Sequence, residues 1–234
     1  HYPQNQGGHM VKISFRKKVI AGALGLALAI GAVAGTYAFI ERGSHHSERF
    51  VEGTHYKILD KPYEAQPYQV DNFYWLNCSA CHMFEGILRT WSKANGNIRV
   101  NKIHATSNEK WLEDSKLDTT FRIMGKSDAI DAFYDMASAD RGFTKDRAKV
   151  NSFLEVRGID KTTFWNTYGS PASLAKSLDL SVNSSIVDIR VVPTFVVAGK
   201  YKILLGGLKT NQELTDLIDY LMASQPSHVE TPGD

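Results

Sequence analysis

Between Tyr68 and Trp91 the hydrophobic pattern changes period within a few residues, and few architectures accommodate that change. Tyr68 to Leu76 is strongly aromatic and reads as a strand. Asn77-Cys78-Ser79-Ala80-Cys81-His82 follows directly, after which Phe84, Ile87, Leu88 and Trp91 recur at i, i+3, i+4 and i+7, the signature of an amphipathic helix. Asn95-Gly96-Asn97 stops that helix and Ile98 to Ala105 supplies another strand, so the segment predicts a β-α-β unit. Both cysteines of the chain therefore fall where a strand turns into a helix.

The flanking segments predict a mixed α/β chain. Tyr56 to Leu59 reads as a short strand, separated from the aromatic one by a turn region at Pro62 and Pro67. From Thr106 to about Ile189 the pattern is helical and reads as four or five helices. Ala129, Ile130, Phe133, Met136 and Ala137 share one face, and Val150, Phe153 and Leu154 share another. Arg157-Gly158 reads as a helix stop, and Ser170-Pro171 as a cap with proline in the first turn of a helix. That helix is expected to bury Leu174, Leu178, Val182 and Ile186. Thr194 to Val197 and Tyr201 to Leu205 form a hairpin through Ala198-Gly199-Lys200. Thr210 with Glu213 then makes a capping box for a last helix through Leu214, Leu217, Ile218 and Leu221, and the tail after Ser224 reads as disordered.

With 234 residues, 43% hydrophobic and 22% charged, the composition excludes a disordered chain, collagen or a long coiled coil, and a net charge of +2 argues against nucleic acid as a partner. Two cysteines do not make a disulfide framework, so stability has to come from a conventional core. Val19 to Ile40 is uncharged and follows Lys12, Arg16, Lys17 and Lys18, the layout of an export signal. Residues 10–40 are therefore read as a signal peptide or N-terminal membrane anchor. Ala32-Val33-Ala34 offers a cleavage site, while the run is also long enough to span a bilayer. Residues 1–9 are read as upstream or cloning sequence and 41–49 as a linker. The expected location is periplasmic, in an oxidising compartment, soluble after cleavage or anchored to the inner membrane by residues 19–40.

Cysteines at i and i+3 of a helix can close a disulfide with little backbone movement. At a helix N-terminus the unpaired N–H groups and the macrodipole favour a thiolate, which predicts Cys78 as nucleophile and Cys81, one turn further in, as the resolving thiol. Two other chemistries compete. Structural zinc would have to recruit two ligands from His82, His104, His55 or the His45-His46 pair, and Cys78-Ser79-Ala80-Cys81-His82 is also a complete C-x-x-C-H haem-attachment string.

The order of these features resembles the DsbA family of exported thioredoxin-fold thiol:disulfide oxidoreductases, over roughly Phe50 to Ser224. The resemblance rests on the C-x-x-C opening a helix after an aromatic strand, the helical insertion, Val191-Val192-Pro193-Thr194-Phe195, and Gly199-Lys200-Tyr201 in the closing hairpin. It implies a thioredoxin fold with an inserted all-helical domain: residues 50–105 and 190–224 in the thioredoxin domain, 106–189 in the insertion and 225–234 as tail. It also implies a cis Pro193 facing the disulfide and Val192 offering its backbone to an extended substrate by strand addition. Implied partners are cysteine-containing polypeptides and a membrane redox partner that reoxidises or reduces the dithiol, with no cofactor and no metal.

Two departures bear on mechanism. The family's usual Pro-His between the cysteines is replaced by Ser79-Ala80, which removes an imidazole beside the nucleophile and predicts a weaker oxidant than the archetype. The buried acid that thioredoxin-fold enzymes often place six positions before the first cysteine falls on Asn72, with Asp71 on the opposite strand face, so proton transfer to Cys81 is expected to use water. His82 is a further active-site neighbour, and His104 reads as a satisfied core histidine. The resulting expectation is an oxidase, with a reductase or isomerase of the same fold and a c-type haem electron-transfer protein as alternatives. A noncatalytic peptide-binding module is the bland reading.

Overall fold

The computed structural model describes residues 49–66 and 68–224. The expected signal or anchor (10–40), most of the linker and the tail lie outside these residues. Among the described residues no helix is long and apolar enough to cross a membrane.

Five strands form one sheet: β1 (Tyr56–Ile58), β2 (Gln69–Tyr74), β3 (Arg99–His104), β4 (Thr194–Val197) and β5 (Tyr201–Ile203), in the order β1-β5-β4-β2-β3. Of these five strands only β2 and β3 pair with each other in parallel, joined by α1 (Ser79–Ala94), which is the anticipated β-α-β unit. A parallel pair needs such a crossover, whereas β4 and β5 need only a tight turn. Ala198 (φ 51°) and Gly199 (φ 64°) supply that turn, both in the left-handed conformation that matches strand twist. Between β3 and β4 come α2 (Glu109–Ile123), α3 (Ile130–Ala139), α4 (Arg147–Val156), α5 (Lys161–Tyr168) and α6 (Pro171–Ile186); α7 (Asn211–Ala223) closes the fold. The architecture is a thioredoxin fold with an inserted helical domain.

Strand alternation sends Val70, Phe195 and Val197 to one sheet face, where Leu88 of α1 and Leu214, Leu217 and Ile218 of α7 cover them. Phe73, Ile103 and Val196 point to the other face, against Val187 and Ile189. A third cluster joins the two parts of the fold: Tyr74, Leu76, Cys78 and Cys81 pack with Phe121, Phe133 and other side chains of the insertion. The end of β2 and the start of α1 are thus roofed by helices.

Helix boundaries follow their caps. Asp146 accepts from the N–H groups of Ala148 and Lys149, and Asp160 from Thr163. Ser170 caps α6 ahead of Pro171, Gly158 (φ 62°) follows the end of α4, and Thr210 accepts from the Glu213 N–H.

The insertion corrects the sequence reading in two places. Leu174, Leu178, Val182 and Ile186 of α6 are exposed, by 44%, 46%, 58% and 39%, and Ser173, Ser177 and Ser184 are the buried residues of that helix. The reason lies in α2. Thr119 presents its hydroxyl to Ser173 and Ser177 at 3.3 and 3.2 Å, and Ser184 meets Thr106, so small polar side chains form a close, hydrogen-bonded seam. Hydrogen-bond partners and size decide which face of α6 goes in. On α3, Met136 is half-exposed while Tyr134 is buried with Ile130, Phe133 and Ala137.

Candidate active site

Cys78 and Cys81 form a disulfide, with Cα atoms 5.2 Å apart. Cys78 is the N-cap of α1: its backbone is extended, and its Sγ accepts a hydrogen bond from the Cys81 N–H at 3.0 Å. This is the position an N-cap hydroxyl or carboxylate usually takes, so a thiolate here receives an N–H and the positive end of the helix dipole. Cys78 is 8% exposed and Cys81 fully buried, while Ser79 and Ala80 between them are exposed. Of the two sulfur-bearing residues, Cys78 is the one that solvent reaches.

The Val192-Pro193 peptide bond is cis, and the Val192 carbonyl oxygen lies 3.8 Å from Cys78 Sγ. Pro193 is buried, Val192 half-buried and Val191 exposed. The chain before β4 therefore runs past the disulfide and offers backbone groups and an apolar side chain beside it.

His82 is half-exposed. Its Nε2 is 2.6 Å from Asp135 Oδ1 and its ring meets Tyr134 edge to face, and Tyr134 in turn donates to the Cys78 carbonyl at 3.4 Å. Burial raises the Tyr134 hydroxyl far above the ordinary tyrosine range, with Glu85 and Asp135 adding to the effect, so it is a donor at any working pH.

Asn72 is fully buried on the sheet face that α1 covers, and neither polar atom of its side chain is hydrogen-bonded. Opposite it on β3, Lys102 bonds Glu85 of α1 at 2.8 Å and Asp131 of α3 at 2.9 Å, and it sits 5.0 Å from the ring centres of both Tyr74 and Tyr134. Asp71 points away and accepts from Tyr63, Gln69 and Asn101. The place of a buried acid is thus taken by a neutral amide beside an ion pair.

Sequence reasoning missed a clasp on the approach to Cys78. Tyr74 donates to Asp118 Oδ1 at 2.6 Å, Trp75 Nε1 to Asp114 Oδ2 at 2.7 Å, and the Leu76 N–H to His104 Nε2 at 3.3 Å. Asn77 Nδ2 donates both to Asp114 Oδ2 at 2.9 Å and to Thr144 Oγ1 at 2.8 Å. Four consecutive residues are pinned from outside their own strand. His104 is the satisfied core histidine expected: its other nitrogen is 2.8 Å from the Ala105 carbonyl, which assigns the proton to Nδ1 and leaves Nε2 as acceptor. Asp114 and Asp118 are not singled out by residue type, because carboxylates are seldom buried. The available signal was their spacing, since they share a helix face with Leu117 and Phe121.

No family model matches the chain. Among curated relatives, it is 24% identical over 184 residues to the thiol:disulfide interchange protein DsbA of Pseudomonas aeruginosa, covering 76% of this chain and 87% of the relative. It is 26% identical over 211 residues to DsbA of Pseudomonas syringae pv. tomato, covering 87% and 95%. The crystal structure of Pseudomonas aeruginosa DsbA superposes with a TM-score of 0.65 at 25% identity, over 75% of this chain and 94% of that one. In sequence and in fold the chain is similar to the DsbA family over most of its length. Its relatives are thiol:disulfide interchange proteins, and the chain is a thiol:disulfide oxidoreductase. The likeness extends beyond the sheet, because the DsbA structure from Xylella fastidiosa, at 18% identity, still gives a TM-score of 0.63 over 74% of this chain and 96% of that one. In this chain both sulfurs of the C-x-x-C-H string are bonded to each other, and its histidine faces Asp135.

Proposed function

We propose that the chain is an extracytoplasmic disulfide donor acting on cysteines of folding polypeptides, with Cys78 as the exchanging sulfur and Cys81 as the resolving one. The observation that carries this is the cap geometry: Cys78 Sγ receives the Cys81 N–H at the start of α1, beside the Val192 carbonyl. A substrate thiolate attacks Cys78 Sγ, forms a mixed disulfide and breaks the Cys78–Cys81 bond. Cys81 leaves as a thiolate and takes up a proton. A second substrate thiolate then attacks the substrate sulfur, releasing the substrate disulfide and the Cys78 thiolate. Two electrons have passed to the Cys78–Cys81 pair, and a membrane redox partner of the oxidising compartment removes them.

Val192 and Pro193 form the proposed substrate rest, where an extended peptide pairs with the Val192 backbone as an added strand and its apolar side chains meet Val191. Ser79 and Ala80 keep the approach open, and His82 orients the first turn of α1 through Asp135. Export is supported by the basic residues and uncharged run that precede Ile40.

A reductase or isomerase is the second reading, favoured by the absence of an imidazole between the cysteines, which weakens oxidising power. Equilibration of the Cys78–Cys81 pair with glutathione separates the two. A potential well above about −180 mV marks a donor, and one near or below about −230 mV a reductase or isomerase.

A further inference from the structure

Asp114 is the part of the clasp that needs explanation. It is 1% exposed, on a helix whose neighbouring turns bury Leu117 and Phe121, and burying a carboxylate is costly unless donors surround it. Both of its donors, Trp75 Nε1 and Asn77 Nδ2, come to a single oxygen, Oδ2. Its other oxygen accepts no hydrogen bond and lies 3.3 Å from Nζ of Lys145, whose side chain is half-exposed. Of the other charges nearby, Lys110 lies over the Trp75 ring, 4.5 Å from its centre. Arg122 holds Asp118, and Lys102 holds Glu85 and Asp131. His104 faces both aspartates but is buried, which lowers its pKa and keeps it neutral near pH 7. Lys145 is therefore the one cation within ion-pair distance of Asp114 among the described residues.

We propose that Asp114 is a positioning residue for Cys78: it holds Trp75 and Asn77 so that Cys78 caps α1, and its charge, placed beside the residue that precedes Cys78, opposes the thiolate. The first effect works through geometry. Cys78 N–H donates to the Trp75 carbonyl at 3.0 Å, so fixing Trp75 and Asn77 fixes the turn from which the sulfur reaches the Cys81 N–H. The second works through charge. A like charge disfavours an ionised group, so the reduced form with its Cys78 thiolate is raised in energy and the disulfide becomes a weaker oxidant. Lys145 partly offsets that field from the solvent side. The oxidising power of the pair is then tuned from the inserted helices, at a distance from the sulfurs themselves. This inference rests on the reading of Cys78 as the exchanging sulfur.

The test is the equilibrium in which two glutathione thiols reduce the Cys78–Cys81 disulfide to the dithiol and yield one glutathione disulfide, measured alongside thermal unfolding and the pH midpoint of Cys78 alkylation. Asp114→Asn keeps an acceptor oxygen for Trp75 and Asn77 but removes the charge. It is expected to raise the equilibrium constant for reduction about tenfold, equal to about 30 mV, and to lower the alkylation midpoint. Lys145→Gln leaves the anion uncompensated and is expected to lower the constant about threefold, in keeping with the modest strength of a half-exposed ion pair. A purely structural role for Asp114 does not produce shifts of opposite sign.

Equal constants for the two variants and the unaltered chain, or shifts in the same direction, overturn the inference while leaving the exchange reading intact. Should Asp114→Asn fail to fold, Lys145→Gln decides alone, and an unchanged constant there overturns it. If the unaltered chain does not equilibrate with glutathione, or Cys78→Ser still exchanges disulfides with a substrate peptide, the exchange reading itself falls and takes the inference with it.

Discussion

Cys78 and Cys81 differ in what surrounds them, and the proposed division of their chemistry rests on that difference. Cys78 has an N–H donor, the helix terminus and slight exposure; Cys81 is buried in the cluster shared with the insertion. Cys78→Ser is expected to abolish disulfide exchange with a cysteine-containing peptide. Cys81→Ser is expected to accumulate a mixed disulfide at Cys78 that mass spectrometry detects, because attack can occur but resolution cannot. His104 makes a second prediction at this scale. Its pKa is lowered chiefly by burial, against the opposing pull of Asp118. The unfolded chain therefore takes up a proton near pH 6.5 that the folded chain resists. Stability contributed by the neutral ring is complete above that pH and is lost as the pH falls from there toward the folded value, by up to about 1.4 kcal/mol per pH unit. Protonation would also set a second N–H against the Leu76 N–H. Denaturant unfolding between pH 5 and 8 checks this, and in His104→Gln that part of the slope should vanish.

At the scale of the element, α6 shows a helix oriented against its own hydrophobicity. Its serines meet Thr119 and Thr106 inside while Leu174 and Leu178 face solvent. Ser177→Leu, which gains apolar character but overfills the seam and removes a hydrogen bond, is expected to destabilise by about 1–3 kcal/mol. Leu178→Gln should change stability by no more than about 0.5 kcal/mol, since that side chain is half-exposed. Denaturant midpoints of the two variants reverse the order that hydrophobic patterning alone would predict. The β4–β5 hairpin has a constraint of a different kind. A Cβ at Gly199 would stand 2.1 Å from the Tyr63 carbonyl oxygen, with φ at +64°. Gly199→Ala is expected to cost at least about 2 kcal/mol and to loosen the segment that runs along the hairpin, which limited proteolysis near Tyr63 would report.

For the molecule as a whole, the described residues from Phe50 to Ser224 form one compact unit, in which the cluster around Phe121 and Phe133 includes both cysteines. The insertion is packed and hydrogen-bonded to the strand end that carries the redox helix, through Asp114, Asp118 and Thr144. Phe133→Ala, at a fully buried position, is expected to lose about 3–5 kcal/mol. The loss should appear as a single transition seen alike by far-ultraviolet dichroism and by tryptophan fluorescence. Two separated transitions would mean that the insertion folds independently of the sheet.

The β-α-β unit, the helix caps, the hairpin and the position of the cysteines were legible because each depends on residues adjacent in the chain. Thr210 with Glu213, Ser170 with Pro171 and Ala198 with Gly199 carry their geometry locally, and a change of period at Asn77 marks where strand becomes helix. Met136, the α6 stripe and the buried aspartates were not legible. Their environment is made by residues far away in sequence, Thr119 for Ser177 and Trp75 and Asn77 for Asp114. The sequence by itself determined the elements, their caps and where a dithiol could form. Tertiary structure alone decided which face of α6 is inside, which carboxylates are buried and what holds Cys78, because burial and hydrogen bonding are properties of packed neighbours rather than of the residue itself.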